Sequence, residues 1–385
     1  MKNFVVDNFG PIQHVDIEWG DLTFLVGVQA SGKSLLLELL KLAIDRDYIL
    51  DSLQRYSYVL GKSADNVLNI YFGEGLSGLW KENTHVLVDG SREFLKKHLS
   101  APNNASATER LFYIPAQRIL SIADGRPKNF MEFDAPTPYV LRNFSETLRL
   151  FMQGGLGGNT VIFPIKNRLK GALRSSFDET VFHGGMVFMD EVSGQKKMKM
   201  RIDDMSIPFM TWSAGQKEFM PLLMGFYCLS GPPISVLKKE NYRYVVIEEP
   251  EMGLHPLAIQ SVLLQMLELL RSGYQVIVST HSRLFLEFAW TFNQLKDSGK
   301  EGKELALASM FNVTQKDNAW DIFNRIFEKK VATYFFSRKT GKVTSVDISS
   351  LDVCDPDVDM AEWGGLSAFS GKASDVVSRF YHAEE

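Results

Sequence analysis

Residues Gly27–Ser34 read GVQASGKS and lie between the apolar runs LTFLV and LLLELLKLAI. Few eight-residue stretches restrict a fold as tightly. A short apolar run that ends on glycine and passes straight into a helical pattern predicts a buried strand, a tight loop and a helix. Gly27 and Gly32 leave the backbone free to wrap, so that its N–H groups point inward. The helix starting near Lys33 adds its positive end, and the whole reads as a cradle for a triphosphate. Lys33 has the reach for the β- and γ-phosphates, and the Ser34 hydroxyl is placed to ligate Mg2+. The residues assigned to the nucleotide are Gly27, Val28, Gln29, Ala30, Ser31, Gly32, Lys33 and Ser34.

A second apolar run, in YVVIEEPE, feeds into Glu248 and Glu249. In an open parallel sheet the C-terminal strand edge is where ligands bind. Neighbouring strand residues point to opposite faces, so the two acids are expected to have different roles. One reaches Mg2+ directly or through water; the other orients or deprotonates the attacking water. A third apolar run, QVIVSTHS, places His281 at a similar edge, where it is a candidate γ-phosphate contact.

Strand and helix patterns alternate along the chain, which predicts a largely parallel sheet covered on both faces. PLAIQSVLLQMLELLRSG reads as a helix stopped by Gly273, and VATYFFSRKTGKVTSVDISS as a hairpin turning at Thr340-Gly341. Between them and the loop lies a stretch of different character. YVLRNFSETLRLFM and IKNRLKGALRSSF read as helices, GGLGG at Gly154–Gly158 as a break, and GGMVFMDEVSGQKKMKMRI as a hairpin with an SGQ turn. The net charge is −4, so nucleic acid would need a local basic surface. Lys166, Arg168, Lys170 and Arg174 on one helix, and Lys196, Lys197, Lys199 and Arg201 on one hairpin strand, are the candidates. Cys228 and Cys354 form no CxxC pair, so neither a disulfide framework nor a cysteine zinc site is supported. No apolar run has the length of a membrane span and the N-terminus lacks a signal-peptide pattern, so a cytoplasmic protein without membrane contact is expected.

A further stretch, WSAGQKE at Trp212–Glu218, lies well beyond the loop and shortly before the acidic strand. Taken in order, these motifs resemble the ABC-type ATPase head of the SMC-like and overcoming-lysogenisation-defect-like branch (AAA_15/AAA_21). SAGQ looks like its signature, GLHP at Gly253–Pro256 like its D-loop and STHS like its switch. Gln117 in YIPAQR stands at its Q-loop position, and NFGPIQHVDIEWGDLTFLVG resembles its opening. The resemblance implies an α/β fold, a P-loop NTPase head with a mixed or parallel sheet flanked by helices and a helical and hairpin insertion. It also implies ATP and Mg2+ as ligands, with Ser34, Gln117 and Glu248 at the metal. Glu249, His281 and Lys33 are then catalytic, and Gln117, Ser213, Gly215 and Gln216 contact nucleotide. In such heads the signature of one copy closes on the nucleotide of the other, so the resemblance implies a homodimer or higher oligomer held by ATP. Gly215 would then approach the partner's γ-phosphate. Two residues depart from the pattern: Glu248 stands where the family usually has Asp, and Gln29 where the SMC-like branch commonly has Asn. Slow turnover suits both.

The expected organisation is residues 1–118 and 211–350 as the two parts of the head, 119–210 as an insertion or lid, and 351–385 as a tail. No sustained heptad pattern predicts a long coiled coil. The acids Asp355, Asp357 and Asp359 of CDPDVD read as a solvated loop, so no Toprim nuclease domain is expected. The tail aromatics Trp363, Phe369, Phe380 and Tyr381 are expected to pack on the head. The function this supports is a slow ATP-hydrolysing switch that controls a separate effector, in anti-phage defence or a toxin–antitoxin-like system. A compact DNA-binding repair head similar to RecF is the alternative, and a scaffold that keeps ATP without splitting it is a third reading.

Overall fold

The strand LTFLVG is buried at all six positions, which places it at the centre of a sheet with helices on both sides. In the computed structural model, residues 1–382 are described apart from 91, 102–106, 157–159, 193 and 234–236. The chain opens with a hairpin, β1 (Asn3–Phe9) and β2 (Ile12–Glu18), followed by β3 (Leu22–Gly27) and the long helix α1 (Lys33–Arg55). Then come α2 (Ala64–Phe72), β4 (Trp80–Val88), β5 (Arg92–Glu93) and β6 (Leu111–Ile114). The middle of the chain holds β7 (Ile122–Ala123), β8 (Arg126–Pro127), α3 (Tyr139–Leu150), β9 (Val161–Phe163) and α4 (Gly171–Phe177). It continues with β10 (Met186–Val192), β11 (Gln195–Ile202) and β12 (Met205–Pro208). The last third contains α5 (Ala214–Leu229), β13 (Tyr244–Glu248), α6 (Pro256–Arg271), β14 (Gln275–Ser279) and α7 (Arg283–Asp297). After α8 (Lys303–Ser309) come β15 (Val331–Lys339) and β16 (Lys342–Asp347), then α9 (Val358–Ala361) and α10 (Ala368–His382).

Ten strands form one sheet in the order β5-β4-β1-β2-β16-β15-β3-β14-β13-β6. From β15 to β6 every neighbour is parallel, so the ends of β3, β13, β14 and β6 that carry the polar residues share one edge. The opposite half contains the antiparallel hairpins β1–β2 and β15–β16, which makes the sheet mixed. Strand alternation divides the core. Phe24, Val26, Ile247 and Val278 pack with α5, α6 and α7 on one face, and Leu25, Val246 and Ile277 pack with α1 and α2 on the other. Leu36, Leu37, Leu39 and Leu40 of α1 are fully buried. At roughly 1.5–3 kcal/mol for each such side chain, they fix where the helix begins.

A buried ion cluster ties α1 to β6. Lys41 Nζ donates to Asp45 (2.8 Å), Glu109 (2.6 Å) and the Leu111 carbonyl (2.6 Å). Asp45 in turn accepts the Arg110 and Leu111 amides. Such a cluster adds little net stability, but its geometry is specific, and it fixes the start of β6 against α1.

The stretch 119–210 contributes Phe144, Leu148, Phe163, Phe177 and Met198 to the same core as α5, α6 and α7. Its strands form a four-stranded antiparallel sheet, β12-β11-β10-β9. The hairpin β10–β11 forms as the sequence suggests, with Ser193 of its turn outside the described residues. Gly154 and Gly155 close a π turn after α3, while Gly157 and Gly158 lie outside the described residues.

Two expectations are corrected. The helix over IKNRLKGALRSSF forms only from Gly171, so Lys166, Arg168 and Lys170 are not on it. Arg168 instead turns onto the C-terminal end of α5, donating to the carbonyls of Ser230 (3.2 Å) and Pro232 (2.8 Å). A cation there offsets the negative end of that helix. Of the four tail aromatics Trp363 is buried, donating its indole N–H to the Leu351 carbonyl at 3.0 Å. Phe369, Phe380 and Tyr381 on α10 are 84%, 66% and 68% exposed. The acids of CDPDVD serve turns: Asp355 and Asp357 each accept the amide two residues on. Among the described residues no helix is long and apolar enough to cross a membrane.

Candidate nucleotide site

The loop begins where β3 ends. Gly27 has φ 149, and a Cβ on it would lie 2.6 Å from the Phe336 carbonyl of β15, so only glycine lets the two strands stay paired here. Gly32 caps α1 in the left-handed conformation with no side-chain cap, which leaves the first-turn N–H groups for an anion. Arg338 holds the crest by donating to the Ala30 carbonyl at 3.1 Å. Val28 and Gln29 are exposed beside it. Lys33 is only 6% exposed and turns into the loop. Its ammonium donates to the carbonyls of Gly27 (2.9 Å) and Val28 (3.3 Å), to the Ser31 hydroxyl (3.3 Å) and to His281 Nε2 (3.4 Å). Burial lowers its pKa, while Glu249, Glu248 and Glu251 oppose the shift.

Glu248 ends β13 on the face that carries α1, two residues after Val246. Its Oε2 accepts the Ala116 amide at 3.3 Å. Burial raises its pKa, and the Ser34 hydroxyl, the Ala116 amide, the Tyr113 hydroxyl and Lys33 pull it back. Oε1 is nevertheless buried without a hydrogen bond of good geometry. An unmet carboxylate oxygen beside a serine hydroxyl, under a phosphate cradle, fits a hard divalent cation such as Mg2+. The extra methylene of Glu248 thus does not remove it from Ser34. Among the described residues no three His, Cys, Asp or Glu side chains form a metal site by themselves, so phosphate oxygens would have to complete this one.

Glu249 departs from the simple alternation expected of it. The strand stops at Glu248, and Glu249 adopts φ 42, a left-handed conformation uncommon outside glycine. This turn brings its Oε1 to 3.3 Å from His281 Nε2. Glu249, His281 and Lys33 therefore meet at the mouth of the loop. Burial first, then the neighbouring Glu251, pushes the Glu249 pKa up to about 8 against the pull of Lys33. Burial and Lys33 push that of His281 down.

Two residues escaped the sequence reading. Glu251 accepts the Thr280 hydroxyl (2.7 Å) and the His281 amide (2.6 Å), so it sets the switch turn against the acidic turn. Arg118 is fully buried and donates to the carbonyls of Glu218, Glu248 and Glu249. The available signals were the third acid of EEPE and an arginine directly after Gln117.

Ser213 caps α5 and forms a reciprocal capping box with Gln216, whose side-chain amide also donates to the Val181 carbonyl at 3.1 Å. Gln216 is thus engaged within its own chain, and Ser213 is exposed. Gln117 is exposed on the turn after β6, beside the amide that Glu248 accepts. Gly215 has an intramolecular reason to lack a side chain: a Cβ there would lie 2.5 Å from the Gly253 carbonyl. The signature turn therefore packs directly on the D-loop turn. Gly215→Ala is expected to cost about 1–3 kcal/mol of stability, read as a lowered denaturant midpoint with unchanged slope. An unchanged midpoint would mean that this contact yields freely.

With this geometry in view, residues 79–287, more than half of the chain, match the AAA_21 family, described as "AAA domain, putative AbiEii toxin, Type IV TA system". The chain belongs to this family. The AAA_21 match takes in Gln117, the signature turn, both acids and His281, while the phosphate loop lies N-terminal to it. Loop, sheet order and family together make this AAA_21 chain an AAA domain of the P-loop type. It is also 41% identical over 69 residues to the "Old nuclease" of Escherichia phage P2, a match covering 16% of this chain and 12% of that protein. Solved SMC heads align over 90% of the chain. The head from Thermotoga maritima gives a TM-score of 0.35 at 13% identity over 98% of its length. An SMC head bound to the C-terminal winged-helix domain of ScpA gives 0.41 at 14% identity over 97% of its length.

Proposed function

We propose that this chain binds ATP with Mg2+, closes as a dimer around it, splits it slowly and thereby switches a separate effector. The observation that carries this reading is the meeting of Lys33, His281 and Glu249 at the mouth of an anion-binding loop. Lys33 exchanges its bonds to the loop carbonyls for bonds to β- and γ-phosphate oxygens, which are stronger because both partners are charged. Glu249 takes a proton from the attacking water as the water oxygen bonds to the γ-phosphorus. The bond between the γ-phosphorus and the β,γ-bridging oxygen breaks, its electron pair stays with ADP, and inorganic phosphate leaves. His281 donates toward the γ-phosphate, and Glu251 fixes the turn that presents it. Ser34 and Glu248, with Gln117 nearby, are the residues that would hold Mg2+, which when bound offsets phosphate charge. Ser213 and the exposed first turn of α5 are offered to the nucleotide of a second copy. ATP then biases two states, joined and parted.

Sedimentation and phosphate release measured together test this reading. The expected result is a dimer with ATP and Mg2+, a monomer with ADP, and phosphate release well below one per second. A monomer throughout, with no phosphate released, would overturn it.

The free-enzyme pKa of Glu249 is expected to show in kcat/KM. Activity should rise with pH through a limb near the value of about 8 that burial and Glu251 impose. Glu251→Gln removes one of the causes and should move the limb to lower pH. A pH-independent kcat/KM between 6 and 9 would exclude Glu249 as the base.

The effector role draws on the family description and on the partial likeness to a phage nuclease. The setting we propose for it is anti-phage defence or a toxin–antitoxin pair. Co-expression with the adjacent open reading frame and co-purification is its test, and an ATPase whose neighbour never associates with it would count against it. The nucleic-acid alternative loses support from the basic residues themselves. Lys170 pairs with Glu268 and Asp321, Lys197 with Asp124, and Lys199 with Asp190. Arg174 donates to the carbonyls of Lys166 and Leu169.

A further inference from the structure

Arg118 is among the largest fully buried side chains described, yet its guanidinium binds carbonyls rather than carboxylates. Nε donates to the Glu218 carbonyl at 3.1 Å. One terminal nitrogen donates to the carbonyls of Glu248 (3.0 Å) and Glu249 (3.1 Å), and the other to Glu249 (3.1 Å). Three elements meet there: the turn that follows Gln117, the second turn of α5, and the acidic turn after β13. The Gly215–Gly253 contact closes the same junction from the other side.

The bonds fall where the backbone is strained. Glu249 holds a left-handed φ of 42, a conformation that side chains other than glycine rarely adopt. Its carbonyl takes two of the four donated bonds, and its carboxylate is the group aimed at His281. Of the other two, one holds the Glu248 carbonyl and one grips α5 five residues after Ser213.

We propose that Arg118 is a positioning residue that couples the two nucleotide sites of the dimer, by locking the signature helix of one site to the backbone turn that aims Glu249 in the other. This rests on the sandwich reading above. Within one chain, α5 is presented to the partner's ATP and Glu249 to the chain's own. A rigid planar fork between them means that seating α5 on one nucleotide sets the base at the other. Lysine cannot substitute, since one ammonium cannot span three carbonyls in a plane.

Steady-state kinetics of Arg118→Lys in the full chain test it. The expected result is a 10- to 100-fold fall in kcat, with KM for ATP within threefold of wild type, because the loop and Lys33 are untouched. Wild-type kcat, or a fall in kcat matched by a rise in KM, would overturn it. A second measurement needs no variant. Amide hydrogen exchange of the wild type should show residues 117–121, 213–220 and 248–253 opening as one unit, with the same protection, and shifting together on addition of ATP and Mg2+. Independent protection of the three segments overturns the coupling even if Arg118→Lys does not fold. Failure of the sandwich reading looks different: the chain would then sediment as a monomer with ATP and Mg2+, and shared opening of the three segments without nucleotide would decide on the link by itself.

Discussion

Lys33→Ala is expected to lower kcat/KM for ATP by about a thousandfold, which is about 4 kcal/mol of transition-state stabilisation. The ammonium sits inside the loop at 2.9 Å from the Gly27 carbonyl, where water does not screen it. No other cation contacts the interior of the loop among the described residues; Arg338 touches it from outside, at Ala30. The fold should survive the change. The folded-state pKa of Lys33 is depressed by burial, so the native chain holds this proton less tightly than the unfolded chain does. Below the ordinary lysine pKa the buried charge therefore opposes folding, and alanine removes that cost along with the loop bonds. Phosphate release, binding of a fluorescent ATP analogue and a melting curve together check this. Activity within tenfold of wild type would remove the loop from the mechanism.

Glu249→Gln is expected to separate binding from splitting. Loss of the base should lower kcat by about a hundred- to ten-thousandfold, with ATP still bound and the dimer accumulating on a sizing column. The structure gives a reason for expecting intact binding. With a pKa of about 8, the Glu249 carboxyl is mostly protonated at neutral pH in the nucleotide-free site, so an amide of the same shape replaces a neutral group. The stability effect has a definite sign. A carboxyl with a raised folded-state pKa makes the native state hold more protons than the unfolded state between about pH 4.5 and 8, so stability falls as pH rises through that window. Glu249→Gln should remove that fall, and melting curves at pH 6 and pH 8.5 should then differ less than those of wild type. A variant that stays monomeric with ATP and Mg2+ would contradict the composite site.

The loop and its strand were legible because chemistry and geometry there depend on adjacent residues: GVQASGKS states both. The acids and His281 were legible for the same reason, since apolar runs lead into each of them. Glu249 was read only in part. Alternation holds while the strand lasts, and the strand ends one residue before it. Arg118 and Glu251 were missed because their partners lie far off in sequence: Arg118 binds carbonyls 100 to 131 residues away, and Glu251 binds Thr280 and His281. No local pattern encodes such contacts. The basic helix was misread because charge spacing gives no view of the carbonyls just beyond α5 that hold Arg168. The reason first assigned to Gly215 needed a neighbour across the interface, whereas Gly253 of the same chain already supplies one.

The bonds of Lys33 to its own loop have a kinetic consequence. The ammonium ties together the carbonyls of Gly27 and Val28 and the Ser31 hydroxyl, so protein acceptors themselves fix the shape of the cradle. A loop shaped in this way by its own chain spends little of an anion's binding energy on reorganisation. On the proposed switch, the pace of each cycle then falls to the splitting of ATP rather than to assembly of the loop, so the chemistry itself would act as the clock.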